Sequence, residues 1–410
     1  GYGKKVDITM MEISLNMYHA VALGALMFWL GEFLTARVGF LNRFCIPSPL
    51  VGGLCFAIVN AIMYFSGVAY VTFDDTLQTV FMTMFFTTVG YTVSLPVLLK
   101  GGKSVILLLV LGIIMIFVQN FLGGGVMTLM GENPLYGIGC GAIALVGGPG
   151  TAAGIGPDLE AAGAVGGTVD SVAAATFGLV CGSMMGGPTA RLLINKHNLK
   201  CTAVASTAES GEATDTESES FTTNSRRFIQ GFMVIMLAMG IGNQVSTWLT
   251  DLCGFSFPGY IGAMVTAVVV RNVMELVMHL EFPAEEVDAI GNMCLSIFLA
   301  MALTGLQLWL LVDLALPMIV TLAAQVVVMF LFAYLVVYNV MGRDYDAAVM
   351  TAGFIGFGMG ATSNAMANMQ VVTRKYGPSP VAYFAIPMVG SLFIDFFNAT
   401  IIAINIGWWS

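Results

Sequence analysis

The sequence predicts an all-α polytopic membrane protein, on three observations. The first is composition: 58% of the 410 residues are hydrophobic and 10% charged. A soluble domain carries about 25% charged residues. At a mean hydropathy of +0.88, a water-soluble fold would expose apolar patches large enough to aggregate. The second is texture. The apolar runs are long and unbroken, whereas an outer-membrane barrel reads as short alternating segments. The third is length: at about 20 residues per crossing, the chain holds roughly ten to twelve crossings and little else. Disorder, nucleic-acid binding and a secreted disulfide scaffold are excluded by the same figures. Glycine is in surplus at 48 residues, where average usage would give about 29.

Taken in order, apolar runs predict crossings near 14–36, 50–70, 76–98, 104–130 and 166–194. After a polar break they resume near 228–250, 259–280, 287–308, 312–340 and 378–406. Stretches 135–160 and 346–370 are moderately apolar but broken by glycine, and neither makes a good spanning helix. Residues 196–227 form the one long hydrophilic segment, whose Ser, Thr and Glu cannot bury a core. Within it, residues 201–225 hold much of the formal charge of −9, through Glu209, Glu212, Asp215, Glu217 and Glu219 with no base. The seven cysteines are scattered without CxxC spacing and read as buried thiols. The start, Gly1-Tyr2-Gly3-Lys4-Lys5, lacks Met and reads as an expression remnant or the cut edge of a longer chain.

Basic residues orient these crossings. With the N-terminus outside, the inner loops collect Arg37, Arg43, Lys100, Lys103, Arg191, Lys196, Lys200, Arg226, Arg227, Arg271, Arg343, Arg374 and Lys375, leaving Lys4 and Lys5 outside. This positive-inside bias predicts both termini outside and the 196–227 linker in the cytoplasm. It also requires that 135–160 and 346–370 do not cross. They are therefore expected to be re-entrant hairpins, the first entering from outside and the second from inside.

The halves match at a nearly constant separation of 211 residues. Ile46-Pro47 pairs with Phe257-Pro258, and Gly131-Glu132-Asn133-Pro134 with Gly342-Arg343-Asp344-Tyr345. The same register sets Gly147 against Gly358 and Thr151 against Thr362; nearby offsets set Gly90 against Gly305 and Gly182-Ser183 against Gly390-Ser391. With five crossings per half, the second half enters the membrane from the opposite side. Two inverted five-helix repeats follow, residues 1–195 and 228–410, each with a hairpin. Inverted repeats with paired interrupted segments belong to secondary transporters, with the site near the midplane.

The hairpins read Ala144-Leu-Val-Gly-Gly-Pro-Gly-Thr-Ala-Ala-Gly-Ile-Gly-Pro157 and Gly353-Phe-Ile-Gly-Phe-Gly-Met-Gly-Ala-Thr-Ser-Asn-Ala-Met-Ala-Asn368. A broken helix inside the membrane leaves N–H and C=O groups that need protein, water or an ion. Helix-start N–H groups favour a carboxylate, and free carbonyls favour Na⁺. Candidate substrate contacts are Gly147, Gly148, Thr151, Gly358, Gly360, Thr362, Ser363 and Asn364. Candidate Na⁺ ligands are Asp395 and Asn398 in the last crossing, Asn368 in the second hairpin, and Gln119 and Asn120 in the fourth crossing. Asp395 leads them, because an ionisable group at depth points to function. Close packing through small residues competes for the glycines, and structural hydrogen bonding for the polar groups. Glu32 and Asp170 rank lower, and Arg271 with Glu275 reads as an interfacial ion pair. Since no Lys or Arg lies deep in a crossing, an anion would be held by helix ends, hydroxyls, amides and co-bound cations.

Several motifs together resemble the bacterial glutamate:sodium symporter family. They are Val146-Gly-Gly-Pro-Gly-Thr151, Ala175-Thr-Phe-Gly-Leu-Val180, Gly186-Gly-Pro-Thr-Ala-Arg191 and Leu295-Ser-Ile-Phe-Leu-Ala-Met-Ala-Leu303. Gly342-Arg-Asp-Tyr-Asp-Ala-Ala-Val349, Gly356-Phe-Gly-Met-Gly-Ala-Thr362, Ala365-Met-Ala-Asn-Met-Gln370 and Ile386-Pro-Met-Val-Gly390 belong with them. The resemblance runs from about Ile46 to Asn398. It implies Na⁺-coupled L-glutamate uptake across the bacterial cytoplasmic membrane. It also implies a homodimer with an elevator-type movement of the part carrying the hairpins. The chain departs from the family pattern at Pro149, where His is usual, at Ser363, where Pro is usual, and along Ile155–Asp170. These differences lie near the expected site and bear on substrate range.

The competing readings are an H⁺- or Na⁺-coupled carrier of another small amino or dicarboxylic acid, a channel, and a membrane enzyme. A channel would show rings of filter residues. An enzyme would show a nucleophile with its base or a metal cluster, and HxxxH, GxSxG and P-loop patterns are missing.

Overall fold

Alternation of long apolar runs with short polar turns produces antiparallel helices, because only a helix satisfies every backbone group within its own segment in lipid. The computed structural model describes residues 11–43, 46–100, 102–201, 225–253, 257–279, 282–311 and 314–409. In order, these form β1 (Met11–Leu15), α1 (Met17–Arg37), α2 (Gly39–Arg43), α3 (Ser48–Phe65), β2 (Ala69–Phe73), α4 (Thr76–Thr92), α5 (Leu95–Lys100) and α6 (Gly102–Leu129). Then follow α7 (Pro134–Ile143), α8 (Gly148–Ala161), α9 (Gly167–His197), α10 (Ser225–Cys253), α11 (Gly259–Leu276) and α12 (Ala284–Thr304). The last are α13 (Ala315–Val340), α14 (Tyr345–Gly358), α15 (Thr362–Tyr376) and α16 (Pro380–Trp409).

Among the described residues, nine of these helices are long and apolar enough to cross a membrane: α1, α3, α6, α9, α10, α11, α12, α13 and α16. That is the polytopic α-helical protein expected. The run at 76–98 divides into the 17-residue α4 and the short α5, with extended backbone at Val93. The run at 50–70 gives up its end to β2, which pairs in parallel with β1. Alternation in Ala69-Tyr70-Val71-Thr72-Phe73 suits a strand, and the buried Asn60 side chain bonds both the N–H and the C=O of Val71. Asp74 then accepts the Thr76 N–H at 2.9 Å. Hydrogen bonds from Thr76 hold that carboxyl below its usual value. This turn is therefore intact above the ordinary aspartate range and is lost on acidification below it. Most of the acidic linker, residues 202–224, lies outside the described residues, as do Lys4 and Lys5. Helix α9 runs to His197, two residues past the expected end of the first half.

The helices form two groups. In the first, α1, α3, α4, α10, α11 and α12 pack together. Tyr91 donates to the Val234 carbonyl, Asn272 to the Val93 carbonyl, and Phe86 stacks on Tyr260. In the second, α6 to α9 and α13 to α16 are tied by buried amides. Gln325 donates to the Gln119 carbonyl, Asn364 to Leu179, Asn368 to Gly182 and Asn398 to Ala142. Side-chain hydrogen bonds between the groups run from Thr92 Oγ1 to the Leu392 carbonyl and from Tyr260 Oη to Asp158, each at 2.7 Å.

Corresponding features recur at the same separation in the two halves. Helices α3 and α11 are both 18 residues long and start 211 residues apart. The caps Asn133 and Asp344 stand 211 residues apart, each accepting backbone N–H groups. Helices α1 and α3 cross at Gly31 and Gly52, where an added Cβ would lie 1.9 and 1.7 Å from backbone oxygens of the facing helix. Helices α10 and α11 cross in the same manner at Gly242 and Gly262, which lie 211 and 210 residues after Gly31 and Gly52. Gly52→Ala is therefore expected to lower stability by about 1–3 kcal/mol through overpacking, read as a fall in thermal unfolding midpoint of the detergent-purified protein.

Candidate functional site

Between the two groups lies a cavity of about 950 Å³. Two helix pairs in the second group reach it with their breaks. In the first pair, α7 widens into a π-helical turn at Gly139–Ile143, with Gly141 outside helical geometry, and α8 begins again at Gly148. In the second, α14 ends at Gly358, and α15 begins at Thr362 after extended backbone at Ala361. No arm exceeds 15 residues, about 22 Å of helix against about 30 Å of hydrocarbon.

The tips touch. Gly148 has φ of +69° and its absent Cβ would sit 2.9 Å from the Gly360 carbonyl oxygen. Such a φ favours glycine, and so does that approach. Neither α8 nor α15 has a side-chain cap on its N-terminus. The first N–H groups of a helix lack intrahelical partners. Gly148, Pro149, Gly150 and Thr151 of one and Thr362 and Ser363 of the other line the cavity. Two positive helix ends thus converge on one space, a disposition that favours a carboxylate.

The expected site residues divide between two positions. Gly147, Gly148, Thr151, Gly360, Thr362, Ser363 and Asp395 line the cavity. Thr362 Oγ1 is committed to the Gly390 carbonyl at 2.9 Å. Ser363 is exposed. Asp395, on α16, projects into the cavity, and among the described residues no side chain ion-pairs with it. The others stand behind the breaks. The Gly358 carbonyl accepts from Gln119 at 2.8 Å, and Asn120 accepts the Ala142 N–H at 3.0 Å. Asn398 donates to the Ala142 carbonyl at 3.1 Å, while Asn364 and Asn368 anchor α15 to carbonyls of α9.

These buried amides are not fully satisfied. Gln119 Oε1, Gln325 Oε1, Asn364 Oδ1 and Asn398 Oδ1 have no hydrogen-bond partner, nor does Asn120 Nδ2. Buried polar atoms normally find one. Unmet oxygens beside broken helices are the donor set that a hard cation such as Na⁺ takes. Gln325 was not singled out from the sequence, although one Gln inside the run 315–340 was a visible signal. Arg271 was read only as half of an ion pair. That pair exists, with Nε 3.3 Å from Glu275 Oε2, but Arg271 also lines the cavity. The low-ranked Asp170 is fully buried behind α7, where the Cys140 thiol donates to it.

Part of the cavity lining comes from the first helix group and its turns. This part includes Ser94, Arg271, Phe282 and Glu285. There Ser94 meets Glu275, and Arg227 pairs with Glu286 at 3.1 Å.

A family model described as sodium/glutamate symporter matches residues 13–378. The chain is 36% identical over 403 residues to a sodium/glutamate symporter of Haemophilus influenzae, covering 96% of this chain and 98% of that protein. It is 37% identical over 374 residues to the sodium/glutamate symporter of Escherichia coli, covering 91% and 93% respectively.

Proposed function

The chain belongs to the sodium/glutamate symporter family, and from this premise we propose that it couples inward Na⁺ movement to L-glutamate uptake across the bacterial cytoplasmic membrane. The family is one of transporters, not enzymes. The observation that carries the reading is the meeting of two uncapped helix N-termini and one unpaired carboxylate, Asp395, in a single cavity.

Each component has a part in this reading. A substrate carboxylate takes the free N–H groups of Gly148, Gly150 and Thr151 and of Thr362 and Ser363. Na⁺ is held by Asp395, by break carbonyls and by unmet amide oxygens of Gln119 and Asn398, with Asn120 and Asn368 setting the helices around it. Substrate and ion assist one another: the cation offsets the charge of the anion in a low-dielectric space. Against an inside-negative potential, a net −1 solute costs about 2.3 kcal/mol per 100 mV to bring in. One Na⁺ cancels that cost, and a second makes the potential assist uptake.

The recurrence of elements at 211 residues supports two inverted repeats, 1–195 and 228–410, joined by the 196–227 linker in the cytoplasm. Breaks in arms too short to span support re-entrant hairpins. The two helix groups, with hydrogen bonds between them at Thr92 and Tyr260, support an elevator in which the hairpin-bearing group moves against the other. Arg271 in the cavity lining, one of the basic residues that the positive-inside bias sets on the cytoplasmic side, supports an inward-facing state with both termini outside. The exposed apolar faces of α1 and α10, with Trp29, Phe33, Met233 and Leu237 outward, are available to lipid and to a second copy in a homodimer.

Proteoliposomes with an imposed inward Na⁺ gradient are expected to accumulate labelled L-glutamate. Accumulation under a pH gradient but not a Na⁺ gradient would replace Na⁺ by H⁺ as the coupling ion. Stronger competition by another dicarboxylate would move the substrate assignment.

A further inference from the structure

The cavity has a second wall, formed by the first helix group, and one basic side chain stands on it. Among the described residues lining the cavity, Arg271 of α11 is the sole Lys or Arg. Its guanidinium lies over the Phe282 ring at 4.3 Å, which fixes its plane. Its Nε is 3.3 Å from Glu275 Oε2, at ion-pair distance without hydrogen-bond alignment, and that oxygen already accepts from Ser94 Oγ at 2.7 Å. Nη1 is buried and has no partner. A buried cation with unmet donors is costly to keep. Arg227, by contrast, pairs with Glu286 while itself half exposed.

We propose that Arg271 is a second carboxylate-recognition point, facing the helix breaks across the cavity, that engages an acidic amino acid when the breaks lie at this end. The inference rests on the reading of the chain as a glutamate carrier. A planar guanidinium held on one face and one edge presents its remaining edge in the fork geometry that a carboxylate matches. An acidic amino acid carries two carboxylates, one for the helix N-termini and one for this fork. Asp288 and Glu285 line the same end and supply the charge that the substrate ammonium needs. They would repel a simple anion, and the Arg271 fork, left unmet by a neutral side chain, separates acidic amino acids from neutral ones. Because Arg271 belongs to the first group and the breaks to the second, the contact is confined to one of the two access states.

The test compares the two faces of the membrane. Half-saturation for L-glutamate is measured in right-side-out and inside-out vesicles, wild type against Arg271→Gln and Arg271→Lys. Loss of a charge-assisted bond is expected to raise the cytoplasmic-face value for Arg271→Gln by about tenfold or more, with the outer-face value within about twofold. Arg271→Lys should recover part of the loss, and L-glutamine should compete better in Arg271→Gln than in wild type. An unchanged cytoplasmic-face value, or equal rises on both faces, would overturn the proposal. If Arg271→Gln does not assemble, Arg271→Lys alone carries the comparison: a rise confined to the cytoplasmic face supports the proposal, and no one-sided change defeats it. Wild-type vesicles that move no L-glutamate with Na⁺ would instead defeat the underlying carrier reading.

Discussion

Asp395→Asn is expected to weaken Na⁺ activation of glutamate uptake while leaving the protein folded. The substitution keeps the shape of the side chain and removes its charge. Among the described residues no cationic side chain pairs with Asp395, so no internal charge is orphaned by the change. A cation bound there would lose the formal countercharge nearest the helix breaks. Since hydrogen-bonded or paired charges contribute about 1.5–3 kcal/mol, the Na⁺ half-activation concentration should rise by at least about tenfold. The measurement is initial uptake at fixed L-glutamate over a Na⁺ series in proteoliposomes. Wild-type Na⁺ activation in the variant would reduce Asp395 to a structural residue.

Gly148→Ala should have the second large effect, on transport more than on assembly. A side chain at φ of +69° is strained by about 1–2 kcal/mol. Its Cβ would also press within 2.9 Å of the Gly360 carbonyl oxygen. The strain falls where the two helix breaks meet, so relief must come by separating them. The helix N-termini would then no longer converge on one carboxylate. Uptake should fall by about tenfold or more, while size-exclusion profiles and unfolding midpoints stay near wild type. Gly150→Ala at the same tip, with ordinary φ and a flexible Leu295 side chain as neighbour, is the milder control. Equal losses in both would argue against a special role for the tip contact.

Much of this was legible before any coordinates. The crossings follow from runs of apolar residues, because lipid imposes a length and a composition on each span. The breaks at Gly147-Gly148 and Gly358-Met359-Gly360 follow from glycine density within otherwise apolar segments. Asp395, Asn398, Gln119 and Asn120 could be marked because a polar side chain in such a run is costly and therefore has a reason. Division of those residues by role was not legible. Thr362 and Asp395 line the cavity, whereas Gln119 and Asn398 brace the breaks from behind. That depends on which face of α6 and α16 turns inward, and helices apolar on all sides carry no amphipathic signal to decide it.

Arg271 is the clearest case. Four residues before Glu275, it reads locally as half of an i,i+4 pair, and that pair is present. What the spacing could not reveal is that Ser94 already occupies the Glu275 oxygen and that Phe282 fixes the guanidinium plane. Nor could it reveal that Arg271 lines a cavity whose other wall comes from the second helix group. Composition and periodicity by themselves determined a polytopic helical protein with two interrupted segments, since burial in lipid acts on each segment independently. Only tertiary packing decided which polar groups meet, because that depends on helix rotation and on contacts between residues more than a hundred positions apart.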